Sequence, residues 1–514
     1  MAAVSRPLVV ALLAAAFAAA HTQAPLFYSN QNQYLLHGLA SAGYGHLAAD
    51  WLSTTADPTP VFSAGVAAAY RAAGLWPLQV AYFALLIGYF AAAAWLAGRV
   101  TDLTSTRRLL AWAALFTAAH AAAFRVLSVR LTGVDYPWNL QAGVAGQYLL
   151  GPGIQPSAFG VLLLVSAAAF AAGRSVLAGA LAGAAGVMHA TYLLPGALLV
   201  TGYLVALLRD GRGRAAASVG AVSLLVALPA ATYAGVTFAP TDPEGFAEAQ
   251  RILAEVRIPH HAVVSRWFDA VAALQLAWVA LGLWALRGTR VFVPLTVAAA
   301  GGVLLSLIVT AFPNPSLMLL FPWRVSALLV PVATLALAAR ASAYLPAGVA
   351  AAALAAMAAA GVWVMAARVG YATNTAEEPL LEYVRTHAGP GDVVLIPTRF
   401  PAVGTGRGSM SASFTPPPRP KPGSNLIPVD LQRFRLATGV PIYVDFKAVP
   451  YADAEVREWH RRVAQAEAWY AAEPDAAALR REGITLVVAP KDKPLTALGE
   501  PVYADEAYHL YRVR

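Results

Sequence analysis

Long apolar runs dominate residues 1–371, and polar connections separate them. A helix that crosses the hydrocarbon core of a bilayer needs about 20 predominantly apolar residues. The pattern therefore predicts about eleven membrane-spanning helices. The predicted spans are 7–20, 77–98, 109–125, 157–173, 175–189, 192–208, 215–237, 268–286, 291–311, 325–339 and 344–368.

Arginines are concentrated in the short connections at alternate ends of these spans. Because cytoplasmic loops carry an excess of Lys and Arg, this distribution places the N-terminus in the cytoplasm. An odd number of spans then places the chain after residue 371 outside. The first span resembles a signal peptide, with Arg6 before it and small residues at its end. We expect it to be retained as an anchor, since its removal does not improve the orientation of the other spans.

The pattern changes after residue 371, where residues 372–514 have the size of an ordinary soluble domain. Two helices are predicted at 377–387 and 453–472. Short apolar strands of the buried type are predicted at 392–397, 440–446 and 484–490. The stretch 401–425 is rich in Gly, Ser and Pro and is predicted to be a mobile loop. The expected fold is an α-helical polytopic membrane protein with a C-terminal extracytoplasmic α/β domain.

Composition strengthens the membrane prediction. Hydrophobic residues make up 59% of the chain and charged residues only 12%, whereas a soluble domain carries roughly 25% charged residues. The absence of cysteine excludes disulfides, thiolate metal sites and cysteine nucleophiles. The net charge of +9 is explained by orientation in a membrane and not by nucleic-acid binding. We expect an integral membrane protein.

The three longest connections are all predicted to lie outside, at 21–75, 126–156 and 238–267. Functional residues are found disproportionately on loops held by a rigid scaffold. The functional residues are therefore expected on the outside, at the surface of the membrane that the protein spans.

Two aspartates of the first connection are candidates for chemistry. Apolar positions over 33–52 recur at helical spacing, which predicts a helix lying in the membrane interface. Asp50 beside Trp51 would have a raised pKa there and suit a general base, or it is a solvated residue of the polar face. For Asp57 before Pro58, a turn role is favoured over catalysis. Tyr34 and His37 are candidate substrate contacts in the same connection.

The second and third connections carry charged candidates. Asp135 is a candidate metal ligand or substrate contact. Alternatively, it forms an ion pair with Arg130, and we favour this pairing. Arg257, His260 and His261 follow closely in the third connection. Arginine binds phosphate oxygens bidentately, and histidine offers a proton donor or a metal nitrogen. These three residues predict a phosphate or metal site, with ordinary interface residues as the alternative.

Further candidates lie at the ends of predicted elements. Arg324 lies at the outer start of a span. Its side chain either extends to the lipid headgroups or holds a lipid phosphate. His189 at the outer end of a span is a functional candidate, although a helix–helix hydrogen bond explains it as well. Lys447 and Arg399 near strand ends are candidate acceptor contacts. A divalent metal, Mg or Mn, is a possible cofactor, with Asp50, Asp135, His260 and His261 as possible ligands.

The sequence resembles the GT-C superfamily of integral-membrane glycosyltransferases, and especially its multi-span prokaryotic members. The segments that carry the resemblance are 34–38 with Asp50-Trp51, 155–157, 186–195, 257–261, 322–324, 434–447 and 458–461. It extends over nearly the whole chain as architecture. One departure is that the first connection lacks a paired-acid motif.

The resemblance implies an integral protein of a prokaryotic plasma membrane. It also implies a sugar donor on a polyprenyl phosphate and a glycan, lipid or protein acceptor at the outer face. A carboxylate of the first outside loop would be the base, with Asp50 as the best match and Asp57 as the second. Arg257, His260, His261 and Arg324 would hold the donor phosphate. The alternatives are a transporter or flippase for an anionic lipid, which would use the same arginines without chemistry, and an assembly protein whose tail recruits a partner.

Overall fold

The computed structural model describes residues 6–21, 23–101, 103, 105–132, 135–367, 375–401 and 431–514. Within them the chain forms a bundle of apolar helices followed by a small α/β tail. The tail packs against the long connections at one end of the bundle. Most of the predicted loop 401–425 lies outside the described residues.

Six helices of the described part are long and apolar enough to cross a membrane, which supports a helical polytopic membrane protein. These segments are Trp76–Val100, Ala190–Arg209, Gly213–Thr237, Phe292–Ala311, Pro315–Ala341 and Ala347–Ala366. The second and fifth begin with short helical turns that lead into the regular helices Leu193–Arg209 and Ser326–Ala341. Shorter apolar helices span Pro7–Ala20, Pro156–Ala171, Ser175–Met188 and Ala270–Ala285. Their positions follow the predicted spans closely, but the predicted count of about eleven is not confirmed.

The predicted span 109–125 is wrong as a single helix. The chain forms one helix over Thr106–Ala118 and another over Ala122–Thr132. Between them Ala121 forms an isolated antiparallel bridge with His21. The pairing of these two residues interrupts the apolar run.

Small residues allow the helix Ser175–Met188 to approach the helix Gly213–Thr237 closely. A Cβ added at Gly179 would lie 2.8 Å from the backbone oxygen of Val219, and one at Gly183 would lie 2.8 Å from that of Ser223. Such spacing of small residues is typical of helix pairs in membranes, where close backbone approach supplies the packing energy. This contact fixes the helix Gly213–Thr237, whose C-terminal half lines the cavity described below.

The continuous interface helix predicted over 33–52 is wrong. The segment instead forms short helices at Gln31–Tyr34 and Leu36–Ser41 and 3₁₀ turns at Leu47–Ala49 and Trp51–Thr54. Gly43 (φ +81°) and Gly45 (φ +56°) break it, because this left-handed conformation favours glycine. The next backbone amide, that of His46, donates to the carbonyl of Gly439 in the tail at 2.7 Å. The break therefore turns the first connection toward the tail.

Further short elements complete the connections. The helices are Pro60–Ala73, Tyr136–Asn139, Pro243–Arg251, Pro259–Ala262, Val264–Trp267 and Pro315–Met318, with a π-helix at Ile252–Arg257. The 3₁₀ turns are Val144–Gly146, Pro156–Gly160, Ala190–Tyr192, Pro322–Val325, Thr375–Glu377 and Thr496–Leu498. Helices Val161–Ala171, Leu193–Arg209 and Ser326–Ala341 follow three of these turns directly.

The tail contains a four-stranded sheet flanked by helices. Its strands are β1 (Val394–Leu395), β2 (Leu486–Pro490), β3 (Tyr503–Ala504) and β4 (Tyr508–Arg512). They lie in the order β1-β2-β4-β3, with β1–β2 parallel and the other two pairs antiparallel. Its helices are Glu378–His387, Phe434–Thr438, Asp453–Ala472 and Ala476–Arg481.

The predicted tail helices and the strands at 392–397 and 484–490 are present, the strands in shortened form. The strand predicted at 440–446 is wrong, since this segment forms only a single bridge, between Ile442 and Val394. The amide of Ile442 donates to the carboxylate of Asp50 at 3.0 Å. That backbone group therefore satisfies a side chain of the first connection and not a neighbouring strand.

Candidate functional site

A cavity of about 600 Å³ lies where the helix ends, the connections and the tail meet. The first connection, the helix Gly213–Thr237, the 238–267 connection and the tail segment 447–451 all contribute to its wall. Its charged and imidazole-bearing residues are Arg257, Arg324, Lys447, His189, His260 and His261. Its other polar residues are Asn30, Gln33, Tyr34, Gln147, Tyr148, Ser157, Thr191, Tyr233, Gln250, Ser316 and Tyr451.

A short π-helix positions Arg257. The segment Ile252–Arg257 widens from the preceding α-helix Pro243–Arg251, and such turns are frequent at functional sites. The buried guanidinium of Arg257 donates to the backbone oxygen of Lys447 and lies 5.6 Å from the ring centroid of Phe446. Its Nε has no hydrogen-bond partner within the described residues. Among those residues this donor is desolvated and unpaired, which destabilises the cation in the absence of compensating charge.

Arg324 lies at the start of the helix Ser326–Ala341. The preceding Phe321 adopts a left-handed conformation (φ 49°), which is costly for a bulky residue and turns the chain into the 3₁₀ turn Pro322–Val325. The guanidinium carbon of Arg324 lies 5.0 Å from the ring centroid of Tyr192. Its buried Nε also lacks a partner among the described residues. Both cavity arginines thus hold a desolvated Nε donor without an acceptor among the described residues, which is energetically costly.

The two adjacent histidines lie in contact beside these arginines, with ring centroids 4.1 Å apart. Burial, together with the neighbouring His261 and cations, lowers the pKa of His260 well below its usual range. Burial lowers the pKa of His261 to about 3, against the opposing effect of a 2.7 Å contact between its Nδ1 and the oxygen of Ala145. Both rings are therefore neutral at pH 7 and contribute no positive charge to the cavity.

The tail supplies the third cation, Lys447. Burial, and then the charge of Arg257, lowers the pKa of Lys447 to about 7, while Asp445 acts in the opposite direction. No ion pair or hydrogen bond is seen for its ammonium group within the described residues. Burial therefore disfavours the charged form of Lys447 in the empty cavity, and a bound anion would favour it.

Tyr34 and His189 are neighbours in the cavity wall. Their ring centroids lie 5.6 Å apart in an edge-to-face arrangement. Burial raises the pKa of Tyr34 well above its usual range. The phenol is therefore neutral and can donate a hydrogen bond to an anion.

Three cations and no carboxylate line the cavity within the described part of the chain. The same part contains no group of three His, Asp or Glu side chains arranged as metal ligands. The cavity is therefore suited to an anion. Arginine and lysine donors favour phosphate oxygens in particular.

The candidate base Asp50 does not line this cavity. Its carboxylate is completely buried and accepts from Arg435 Nε at 2.8 Å, from the amide of Ile442 at 3.0 Å and from the amide of Leu52 at 3.0 Å. Arg435 also donates to Asp445 at 3.0 Å. This placement does not support either the solvated alternative or the role of a base, because the carboxylate oxygens are occupied and shielded from the cavity. Asp50 instead joins the first connection to the tail.

The second candidate, Asp57, has the turn role that we favoured. Its carboxylate accepts from the amide of Thr59 at 2.8 Å across Pro58. It is absent from the described cavity wall, although its backbone oxygen accepts from the cavity residue Tyr233 at 2.7 Å. His37 faces a separate, small pocket, where its Nε2 lies 3.1 Å from the oxygen of Thr55.

Asp135 forms an ion pair, but its partner is Arg125 and not the predicted Arg130. The carboxylate lies 2.8 Å from Arg125 Nη2, and both side chains are buried. It also caps a short helix by accepting from the amide of Trp138 at 3.1 Å. On the helix Ala122–Thr132, Arg125 faces inward, whereas Arg130 is exposed. Asp50, Asp135 and the histidine pair are thus held at separate places and not as one metal site.

Several cavity residues were not predicted from the sequence. The amides Asn30 and Gln33 and the tyrosines 148, 233 and 451 lie in its wall. The sequence signal for the first two was the unusual run of four amide side chains at 30–33. Tyr451 gave no signal, because its approach to Gln33 (3.1 Å from Gln33 Nε2 to its hydroxyl) joins positions far apart in the sequence.

The comparisons with known proteins give one partial match. A family model described as a domain of unknown function (DUF6798) matches residues 420–466. No curated protein and no solved structure matches the chain. The matched stretch includes Arg435, Asp445, Lys447 and Tyr451. It therefore covers both the tail's contact with Asp50 and the tail's contribution to the cavity.

Proposed function

We propose that the cavity binds the phosphate of a lipid-linked sugar, and that the protein is a membrane glycosyltransferase. It would move the sugar from a polyprenyl-phosphate donor to an acceptor at the extracytoplasmic face. The observation that carries the proposal is the presence of three cations, and no carboxylate, in a described cavity wall between membrane helices and a polar tail.

The two kinds of surface in the cavity suit the two parts of such a donor. Apolar wall residues include Val61, Pro229, Ala230 and Leu320, whereas Arg324 supplies a positive charge. Pro229 lies on the helix Gly213–Thr237. In the most apolar stretch of this helix, only 11% of the residues are buried inside the protein. A prenyl chain can therefore lie along this lipid-facing helix while the phosphate reaches the cations.

The proposed reaction is a direct displacement at the anomeric carbon. As the acceptor hydroxyl oxygen bonds to the anomeric carbon, its proton passes to solvent water. The bond between the anomeric carbon and the phosphate oxygen breaks, and the lipid phosphate leaves with an additional negative charge. Arg257 and Arg324 are placed in advance to stabilise that charge. Loss of one such donor typically costs about 10²–10³-fold in rate. A single displacement inverts the anomeric centre.

A second function, transport or flipping of an anionic lipid without chemistry, is favoured by the lack of a carboxylate base in the described cavity wall. It uses the same cations. In this alternative, polyprenyl phosphate crosses the bilayer and no sugar is released.

Proteoliposomes distinguish the two functions. Wild-type protein is incubated with polyprenyl-phosphate hexoses and candidate acceptors, and release of polyprenyl phosphate is followed. The proposal predicts release that falls at least tenfold in Arg324→Gln and is unchanged in Arg130→Gln, an exposed arginine outside the cavity. Arginine-dependent movement of the lipid between leaflets, without release, would instead support the flippase.

A further inference from the structure

We infer that the cavity is matched in charge to a prenyl headgroup with two negative charges, and that it binds such a headgroup more tightly than a monoanionic sugar phosphodiester. This inference rests on the proposed function, because it specifies the charge of the anion that the cavity holds. The observation that carries it is the balance of charges on the two sides of one tail segment, residues 445–447.

Three cations reach the cavity from three parts of the chain. Arg324 lies at the start of a membrane helix, Arg257 at the end of a π-helix, and Lys447 in the tail. The guanidinium of Arg257 donates to the backbone oxygen of Lys447, so these two residues are neighbours. The described part of the cavity wall contains no carboxylate. The wall therefore contributes three positive charges when Lys447 is protonated.

The paired group beside the cavity has one negative charge in excess. Asp50 and Asp445 share the single guanidinium of Arg435, at 2.8 and 3.0 Å. Asp445 lies two positions before Lys447. Burial lowers the pKa of Lys447 and of Arg257, and the charge of Asp445 opposes both effects. The excess negative charge therefore acts on two of the three cavity cations.

The cavity wall and the paired group together contain four cations and two carboxylates, which gives a net charge of +2. The buried pair Arg125–Asp135 is neutral and does not change this balance. Asp57 and Glu455 lie outside the described wall and are partly exposed, so water screens their charges. A monoanionic phosphodiester leaves one buried positive charge uncompensated, which is costly. A dianion compensates both.

Two headgroups carry this charge. One is the free prenyl phosphate that the proposed transfer releases, since a phosphate monoester is a dianion above its second pKa of about 6. The other is the linker of a donor in which a diphosphate joins sugar and lipid, with one charge on each phosphate. In the first case the released lipid phosphate stays bound. Continued turnover then requires a reaction that consumes it, by esterification or by movement to the other leaflet.

The test is isothermal titration of the full-length protein in detergent at pH 7 with four farnesyl probes. They are the methyl ester of farnesyl phosphate, with one negative charge, farnesyl phosphate and the methyl ester of farnesyl diphosphate, with two, and farnesyl diphosphate, with three. We expect a dianion to bind about tenfold more tightly than the monoanion, or better. The trianion should gain less than about threefold over that dianion. The dianion that binds more tightly identifies the source, which is either the released lipid phosphate or a diphosphate-linked donor.

The variant Lys447→Met tests the charge balance inside the same cavity, because it removes one of the three cations of the wall. The preference for the dianion over the monoanion should fall to less than about threefold. Lys493→Met is the matched control. Lys493 is an exposed lysine of the same tail and lies outside the described cavity wall, so this variant should keep the wild-type preference.

The outcomes separate the charge match from the phosphate site. Equal binding of the monoanion and the dianions, or a similar gain for every added charge, would overturn the charge match and leave the phosphate site intact. An unchanged preference in a folded Lys447→Met protein would do the same. Absence of binding for all four probes would overturn the proposed function as well. The wild-type series decides the charge match by itself, so the test does not depend on the folding of Lys447→Met.

Discussion

Two buried groups of charges lie close together along the tail and differ in one respect. In the group formed by Asp50, Arg435 and Asp445, each charge has an opposite partner within 3.0 Å. In the cavity, Arg257, Arg324 and Lys447 have no carboxylate partner in the described wall. Buried charges that are paired hold elements together, whereas buried charges of one sign require a ligand of the other sign. The first group is therefore structural, and the second is the proposed binding site.

The largest expected effect comes from breaking the paired group. Asp50→Ala leaves the buried Arg435 Nε and the amide of Ile442 without their acceptor. We expect a loss of about 3–5 kcal/mol in stability, seen as a lower thermal unfolding midpoint in detergent and faster trypsin cleavage of the tail. The triple variant Asp50→Ala/Arg435→Met/Asp445→Asn should recover part of the loss, since it removes all three charges of the group. Unchanged stability of the single variant would show that the ion pair does not hold the tail.

A smaller effect of a different kind is expected in the cavity. Arg324→Gln should weaken farnesyl phosphate binding by about 1.5–3 kcal/mol, or roughly ten- to hundredfold in Kd. The unfolding midpoint in the absence of ligand should stay the same or rise, because an uncompensated buried charge is removed. Isothermal titration together with thermal unfolding measures both quantities. If Arg324→Gln unfolded more readily than the wild type but bound farnesyl phosphate normally, Arg324 would have a structural role and not a binding role.

The pH dependence of binding tests Lys447 within the cavity. Its pKa is lowered to about 7 in the empty folded protein, and a bound dianion favours the protonated form. Affinity for farnesyl phosphate should therefore fall as pH rises above 7, by up to about tenfold per pH unit. In Lys447→Arg the affinity should stay flat over the same range, which a titration series from pH 7 to 9 would show.

The smallest effect is expected for Asp57. Asn can accept the same hydrogen bond from the amide of Thr59, so Asp57→Asn should change stability by less than about 0.5 kcal/mol. Transfer activity should also be unchanged, because Asp57 lies outside the described cavity wall. Loss of transfer in a stable Asp57→Asn protein would restore this aspartate as a candidate base.

The sequence predicted those parts of the fold that depend on local pattern. The apolar runs placed the helices of the bundle, and the charged face of 453–472 marked a helix that the structure has with the same bounds. The arginines and histidines of the cavity were also recognisable, because their residue types and positions near helix ends suggest anion binding.

Contacts between distant segments could not be predicted from local pattern. Asp50 and Arg435 are 385 positions apart, so nothing near Asp50 indicated its partner. The carboxylate of Asp50 also accepts a hydrogen bond from the amide of Ile442, so this amide does not pair within the strand predicted at 440–446. The strands β3 and β4 were also missed. The polar residues of β4, His509 and Arg512, are three positions apart and so do not give the alternation that predicts a strand.

Equilibrium binding of farnesyl phosphate, compared with farnesol, tests the central claim most directly. The two probes share the prenyl chain and differ in the phosphate that the cavity cations are proposed to hold. The account predicts that wild-type protein binds farnesyl phosphate at least tenfold more tightly than farnesol, and that Arg324→Gln removes most of this difference. Equal affinities for the two probes in the wild type would contradict the phosphate site.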